Sequence, residues 1–168
     1  MRSHTVINSP VGPLTLVAED GAIVGLYMDL QRHRPDDDKL GEEDPRGRLA
    51  EPFQAAADQL DAYFAGGLRR FSVPLAPHGS EFQQRVWAAL LEIPYGETES
   101  YGELAARIGS PGAARAVGLA NGKNPIGIVI PCHRVVGSNG SLTGYGGGLD
   151  RKKRLLDLEQ EASGAALF

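Results

Sequence analysis

Near residue 77 the hydrophobic pattern of this chain changes period, and that change limits what it can fold into. Before it, short runs at Thr5–Asn8, Leu14–Glu19 and Ala22–Met28 are separated by turn residues, Pro10 to Pro13 and then Asp20-Gly21. Short runs bounded by such residues predict a β-meander. Phe53, Ala56, Ala57, Leu60 and Phe64 recur at helical spacing, Gly66-Gly67 supply a stop, and Phe71, Val73 and Leu75 predict one more alternating strand. After Pro74 to Gly79, helices take over. Ser80-Glu-Phe-Gln83 and Ser100-Tyr-Gly-Glu103 are capping boxes, in which a hydroxyl and a carboxyl or amide side chain satisfy opposite ends of the first helical turn. The chain therefore reads as an α/β N-terminal domain, residues 1–76, with a small antiparallel sheet plus a helix, and a mainly helical C-terminal domain, residues 77–168.

Within the second domain, the helix opened by Ser100 carries Tyr101, Leu104, Ala105 and Ile108 on one face and stops at Gly109. Ser110-Pro111 then predicts the start of another helix running to about Asn121, since proline costs nothing in a first turn. Two short helices joined at a glycine make a helix-turn-helix pattern, whose second helix is the one offered to DNA. That helix is rich in glycine and alanine around Arg115, so it could approach a duplex closely; the same residues would also suit tight packing in a core. Between Gln31 and Glu51 the chain is polar, with three consecutive aspartates, and predicts a solvated loop with little chemistry.

The chain has 168 residues, 42% of them apolar, which suits an ordinary globular protein. No run is apolar enough for a membrane span, and the start lacks a signal-peptide core, so a cytoplasmic protein is expected. The net charge of −4 hides an uneven distribution: from Leu104 to Leu156 eight basic residues face one acid, a local +7. A surface patch of that sign binds phosphates whatever the whole-chain sum. Equally, Arg151 to Arg154 could be no more than a solvated helix start.

One cysteine among 168 residues cannot form an internal disulfide, and four scattered histidines do not supply a zinc site. A lone cysteine is more often an inert buried hydrophobe than a nucleophile. Around Cys132, however, Pro131 breaks an apolar strand-like run from Ile126 to Ile130, His133 follows as a base, and Lys123 and Arg134 flank the stretch. A thiol attacks as its thiolate, so a base or a positive field is what it needs. Neighbouring side chains on an extended chain point apart, so a bend at Pro131 or an intervening water would have to bring His133 to bear. Glu159 is a candidate to hold the far ring nitrogen, against the alternative of a solvated helix face.

Ile130-Pro-Cys-His-Arg-Val135 resembles the active-site signature of the O6-alkylguanine-DNA alkyltransferases. Phe82-Gln-Gln-Arg-Val-Trp87, Ile93-Pro-Tyr-Gly96, Ser100-Tyr-Gly102, Arg115-Ala-Val-Gly118, Asn124-Pro125, Thr143-Gly-Tyr-Gly-Gly147 and Leu155-Leu-Asp-Leu-Glu159 stand in that family's order, and Ser9 to Leu16 resembles its N-terminal part more weakly. The resemblance implies a ribonuclease H-like N-terminal domain and direct-reversal DNA repair: a suicide methyltransferase that moves the alkyl group of O6-alkylguanine, and of O4-alkylthymine, irreversibly onto Cys132. It implies binding of double-stranded DNA through the minor groove, with Arg115 replacing a flipped-out nucleotide. It also implies a relay of Cys132, His133 and Glu159, a turn braced by Asn124, and Tyr101 polarising the base. Val135, Tyr145, Gly146 and Gly147 would line the pocket, where some members carry serine at the place of Gly146. No cofactor is implied; some members bind zinc in the N-terminal domain, but the cysteines for it are absent here, so no metal is expected, and a monomer in solution is expected, with cooperative binding along DNA left open. Three other functions fit part of the sequence: an alkyltransferase-like lesion-flagging module, which lacks the cysteine; a Cys-His hydrolase or thiol-redox enzyme, which brings its histidine or second cysteine from elsewhere; and a regulator using the helix-turn-helix alone.

Overall fold

A computed structural model describes residues 1–163. The meander forms as β1 (Arg2–Ile7), β2 (Leu14–Glu19) and β3 (Ala22–Met28), all antiparallel neighbours, and a two-residue strand β4 (Glu42–Glu43) joins β1 in parallel to give the order β3-β2-β1-β4. The antiparallel expectation thus holds for the meander, and β4 makes the whole sheet mixed. Helix α1 (Phe53–Phe64) lays Phe53, Ala56, Ala57 and Leu60 against it, as their spacing predicts.

Two expected strands do not form. Phe71 to Leu75 contributes only an isolated parallel bridge between Leu75 and Ile23, because Pro74 has no N–H to continue a ladder and gives only its carbonyl to Ile23 N. Ile126 to Ile130 likewise makes one bridge, Ile126 to Leu26, and then coils, with Ile130 N donating to Ile126 O at 2.9 Å. Ile128 turns the chain at φ 70, a costly conformation for a β-branched residue. Both segments lie against β3, so the sheet edge carries the chain that leads to Cys132.

The C-terminal half contains α2 (Glu81–Leu90), α3 (Tyr101–Arg107), α4 (Ala114–Gly122) and α5 (Leu149–Ser163), with β5 (Glu99–Ser100) and β6 (Val135–Val136) paired in parallel. Both capping boxes are formed: Ser80 and Gln83 cap α2, Ser100 and Glu103 cap α3. The turn after α3 uses Gly109 at φ 83, the left-handed conformation glycine accepts without steric cost. Helix α4 begins at Ala114, later than Ser110-Pro111 predicts; Ala113 N donates to Ser110 O and closes a separate turn first. Trp87 Nε1 donates to Ala120 O at 2.9 Å and fixes α2 to α4. One continuous apolar core runs from β2 and β3 through α1 and α2 to Val117 and Leu155. Among the described residues no helix is long and apolar enough to cross a membrane.

Candidate active site

Cys132, His133 and Arg134 form a single 3-10 turn between Pro131 and β6, and all three are buried. The extended geometry that would splay Cys132 from His133 is therefore absent. Asn124 braces the approach: its Nδ2 donates to Ile130 O at 2.8 Å and its Oδ1 accepts from Ile126 N at 3.0 Å. Asn121 adds a longer bond from Nδ2 to Cys132 O, 3.4 Å.

Behind the cysteine lies a buried carboxylate. Glu159, on α5, is fully enclosed rather than on a solvated face. Its Oε1 accepts from Arg134 Nε at 2.8 Å, and its Oε2 accepts from His133 Nε2 at 2.6 Å, from Tyr63 Oη at 2.6 Å and from Arg134 Nη2 at 3.1 Å. Arg134 Nη1 also donates to Ile93 O. A buried charge survives only when paired and hydrogen-bonded, and here both conditions are met. Burial works against the ionised carboxyl, but the hydrogen bonds from His133 and Arg134 override it and hold the Glu159 pKa at about 2.

This arrangement decides the state of His133. An ionised carboxylate only accepts, so Nε2 carries the ring proton and Nδ1 keeps a free lone pair. Burial depresses the His133 pKa despite Glu159, so the ring is a neutral base at rest. Nδ1 is buried with no protein partner. The Cys132 thiol is pushed up by burial, with Asn124 and the Lys152 ammonium pulling the other way. The resting nucleophile is thus a thiol, followed in the same turn by a neutral imidazole.

Lys152 is one residue of the site that the sequence did not single out. It is fully buried, and its Nζ donates to Val135 O at 2.5 Å and to Thr143 O at 2.7 Å. Burial lowers its pKa to about 8. Its position four residues before Leu156 and seven before Glu159 puts it on the inner face of α5, a signal the sequence carried. The buried Lys152 and Arg134, and Arg107 paired with Glu92 and Glu99, also subtract from the local excess of eight basic residues counted on the chain.

In front of Cys132 a small cavity is lined by Asn124, Tyr145, Gly146 and Gly147, as the family resemblance implied for the last three, and also by Gln31. The polar segment after β3 is therefore part of the site rather than chemically idle. The Tyr101 hydroxyl instead donates to Thr143 O at 3.1 Å, with its ring beside Gly118, so it flanks the loop and does not line this cavity. Arg115 stands exposed on α4, and the Val135 carbonyl is already held by Lys152, with one lone pair left over.

Known proteins bear on this geometry. A family model for 6-O-methylguanine DNA methyltransferase, DNA binding domain, matches residues 81–161, and one for its ribonuclease-like domain matches residues 3–77. The chain is 55% identical over 168 residues to a methylated-DNA--protein-cysteine methyltransferase of Mycolicibacterium paratuberculosis, covering 99% of this chain and 98% of that one. A Methanosarcina acetivorans protein of the same name is 50% identical over 156 residues, 93% of this chain and 97% of its own. The crystal structure of Mycobacterium tuberculosis OGT in complex with DNA superposes with a TM-score of 0.88 at 54% identity, covering 98% of this chain and 97% of that chain. With both domains matched and relatives alike along almost their whole length, this chain belongs to the 6-O-methylguanine DNA methyltransferase family.

Proposed function

We propose that this protein repairs DNA by direct reversal, transferring the alkyl group of O6-alkylguanine, and of O4-alkylthymine, to Cys132 once per chain. The observation that carries this reading is the Cys132 thiol in the same 3-10 turn as a neutral His133 whose tautomer is fixed by the buried Glu159 carboxylate. His133 Nδ1, through a water, takes the thiol proton as the sulfur attacks the alkyl carbon. The C–S bond forms, the C–O6 bond breaks, and guanine leaves with the proton the thiol gave up. Glu159 stabilises the transient imidazolium, as a carboxylate does behind a catalytic histidine. Lys152 places a positive charge near the developing thiolate and fixes the Val135 and Thr143 carbonyls.

The damaged base must leave the stack, because the reacting carbon is not reachable in line inside a duplex. Helix α4, with its small residues, enters the minor groove in this reading. Arg115 fills the gap the flipped nucleotide leaves, and Tyr101 polarises the base from the edge of the Thr143 to Gly147 loop. The product thioether has no second nucleophile to cleave it, since Cys132 is the only cysteine, and the protein is consumed. DNA is the partner, bound by monomers.

The test is a duplex carrying one O6-alkylguanine with a radiolabelled alkyl group, followed by a denaturing gel. Label on the protein band, equal at saturation to the moles of protein and absent in Cys132→Ser, is expected. Lesion binding without label transfer would instead favour a lesion-flagging module.

A further inference from the structure

The cavity in front of Cys132 measures about 10 Å³. That is room for about one water molecule, so a purine carrying an alkyl group enters only if part of the wall retreats. Asn124 is buried and bonded at both ends of its amide, and Tyr145 is buried in the core. Gly146 and Gly147 present main chain. Gln31 differs from all of these: it is a half-buried side chain, and it comes from the N-terminal domain.

Its placement is built. Met28 N donates to Gln31 Oε1 at 2.8 Å, folding the side chain back over the end of β3, while Leu30 turns the chain at φ 57. Arg32 N then donates to Gly146 O at 2.7 Å, and Arg151 Nη1 donates to Asp29 O at 2.5 Å. The segment from Asp29 to Arg32 is thus held at two points, by the glycine loop at Gly146 and by α5 at Arg151. A Cβ added to Gly146 would stand 3.5 Å from Gln31 Cγ, in ordinary contact, and 3.3 Å from Arg32 O. The glycine at 146 lets the two walls close to this distance, and the Gln31 side chain occupies the space beside it.

We propose that Gln31 is a specificity-determining residue of the pocket, whose side-chain volume limits how large an O6 substituent reaches Cys132. The N-terminal domain would then act on the reaction by shaping the substrate cavity, not only by supporting the fold. This inference rests on the alkyl-transfer reading above. Nothing in the length, charge or pattern of the segment announces it.

The experiment measures single-turnover alkylation of Cys132 by two free bases, O6-methylguanine and O6-benzylguanine, which do not require DNA binding. For Gln31→Ala the ratio of benzyl to methyl rates should rise on the order of tenfold, the scale of pocket discrimination by a few carbon atoms. Gln31→Trp should lower the ratio, and Gln31→Glu, which keeps size and the acceptor for Met28 N, should leave it unchanged. Methyl transfer itself reports that each variant is folded. An unchanged ratio in Gln31→Ala and Gln31→Trp with methyl transfer intact would overturn the inference alone. No methyl transfer by the unaltered protein, from duplex or free base, would overturn the function and the inference together.

Discussion

The two sides of Cys132 are built in opposite ways. Behind it, Glu159 is saturated by Tyr63, His133 and Arg134, side chains from α1 and from the cysteine's own turn, all enclosed in the core. In front, the wall is the loop from Thr143 to Gly148, four of whose six residues are glycine, held by Lys152, Tyr101, Arg32 and Arg151 through backbone carbonyls. The two sides answer to different demands of the reaction. Proton transfer needs a base of one tautomer at one place, and buried charge pairs enforce that. In the proposed reaction the substrate enters on the other side, where the wall is held through the main-chain carbonyls of Thr143, Gly146 and Gly147.

Breaking the comparison at its centre gives the largest effect. Cys132→Ser should abolish alkyl transfer while leaving DNA binding intact, as a binding assay with unmodified and alkylated duplex would read. Removing the back wall comes next. Glu159→Ala leaves the Arg134 charge enclosed without its partner, which costs roughly 3–5 kcal/mol and should appear as a lowered denaturation midpoint together with lost transfer. A change outside both walls, on the exposed face of α4, should act mainly on one substrate: Arg115→Ala is expected to slow repair of duplex far more than reaction with free O6-alkylguanine. Equal loss on both would remove the role given to Arg115.

The smallest effect is expected with pH. The folded Glu159 pKa, about 2, lies below the ordinary carboxylate value, so its contribution is fully present above that ordinary value and is lost as pH falls through the acid range toward 2. The depressed His133 acts in the same direction, losing stability as pH falls below the ordinary histidine value. Denaturant midpoints should therefore decline as pH falls below about 6.5, and Glu159→Gln should flatten the most acidic part of that decline.

Much of the scaffold was legible because its signals are local. The capping boxes at Ser80 and Ser100, the α1 spacing and the stop at Gly109 are each decided within a few residues, and the structure agrees with them. Phe71 to Leu75 misled because alternation carries no record of the missing N–H at Pro74, and α4 misled because a proline after serine can belong to a turn as well as to a first helical turn. Of the site, Cys132 and His133 stood out by type, but the enclosure of Glu159 is completed by a hydrogen bond from Tyr63, which lies 96 residues away in sequence. Lys152 sat in a basic run that suggests a solvated surface, although its helical phase points inward. Gln31 reaches the site only through a tertiary latch onto Gly146, which no pattern along the chain encodes.

The most direct test is intact and peptide mass spectrometry of the protein after incubation with a duplex holding a single O6-methylguanine. A gain of one methylene mass is expected, confined to the Cys132 peptide and saturating at one per chain. An unchanged mass despite tight binding to the lesion, or a gain on any other residue, would contradict it.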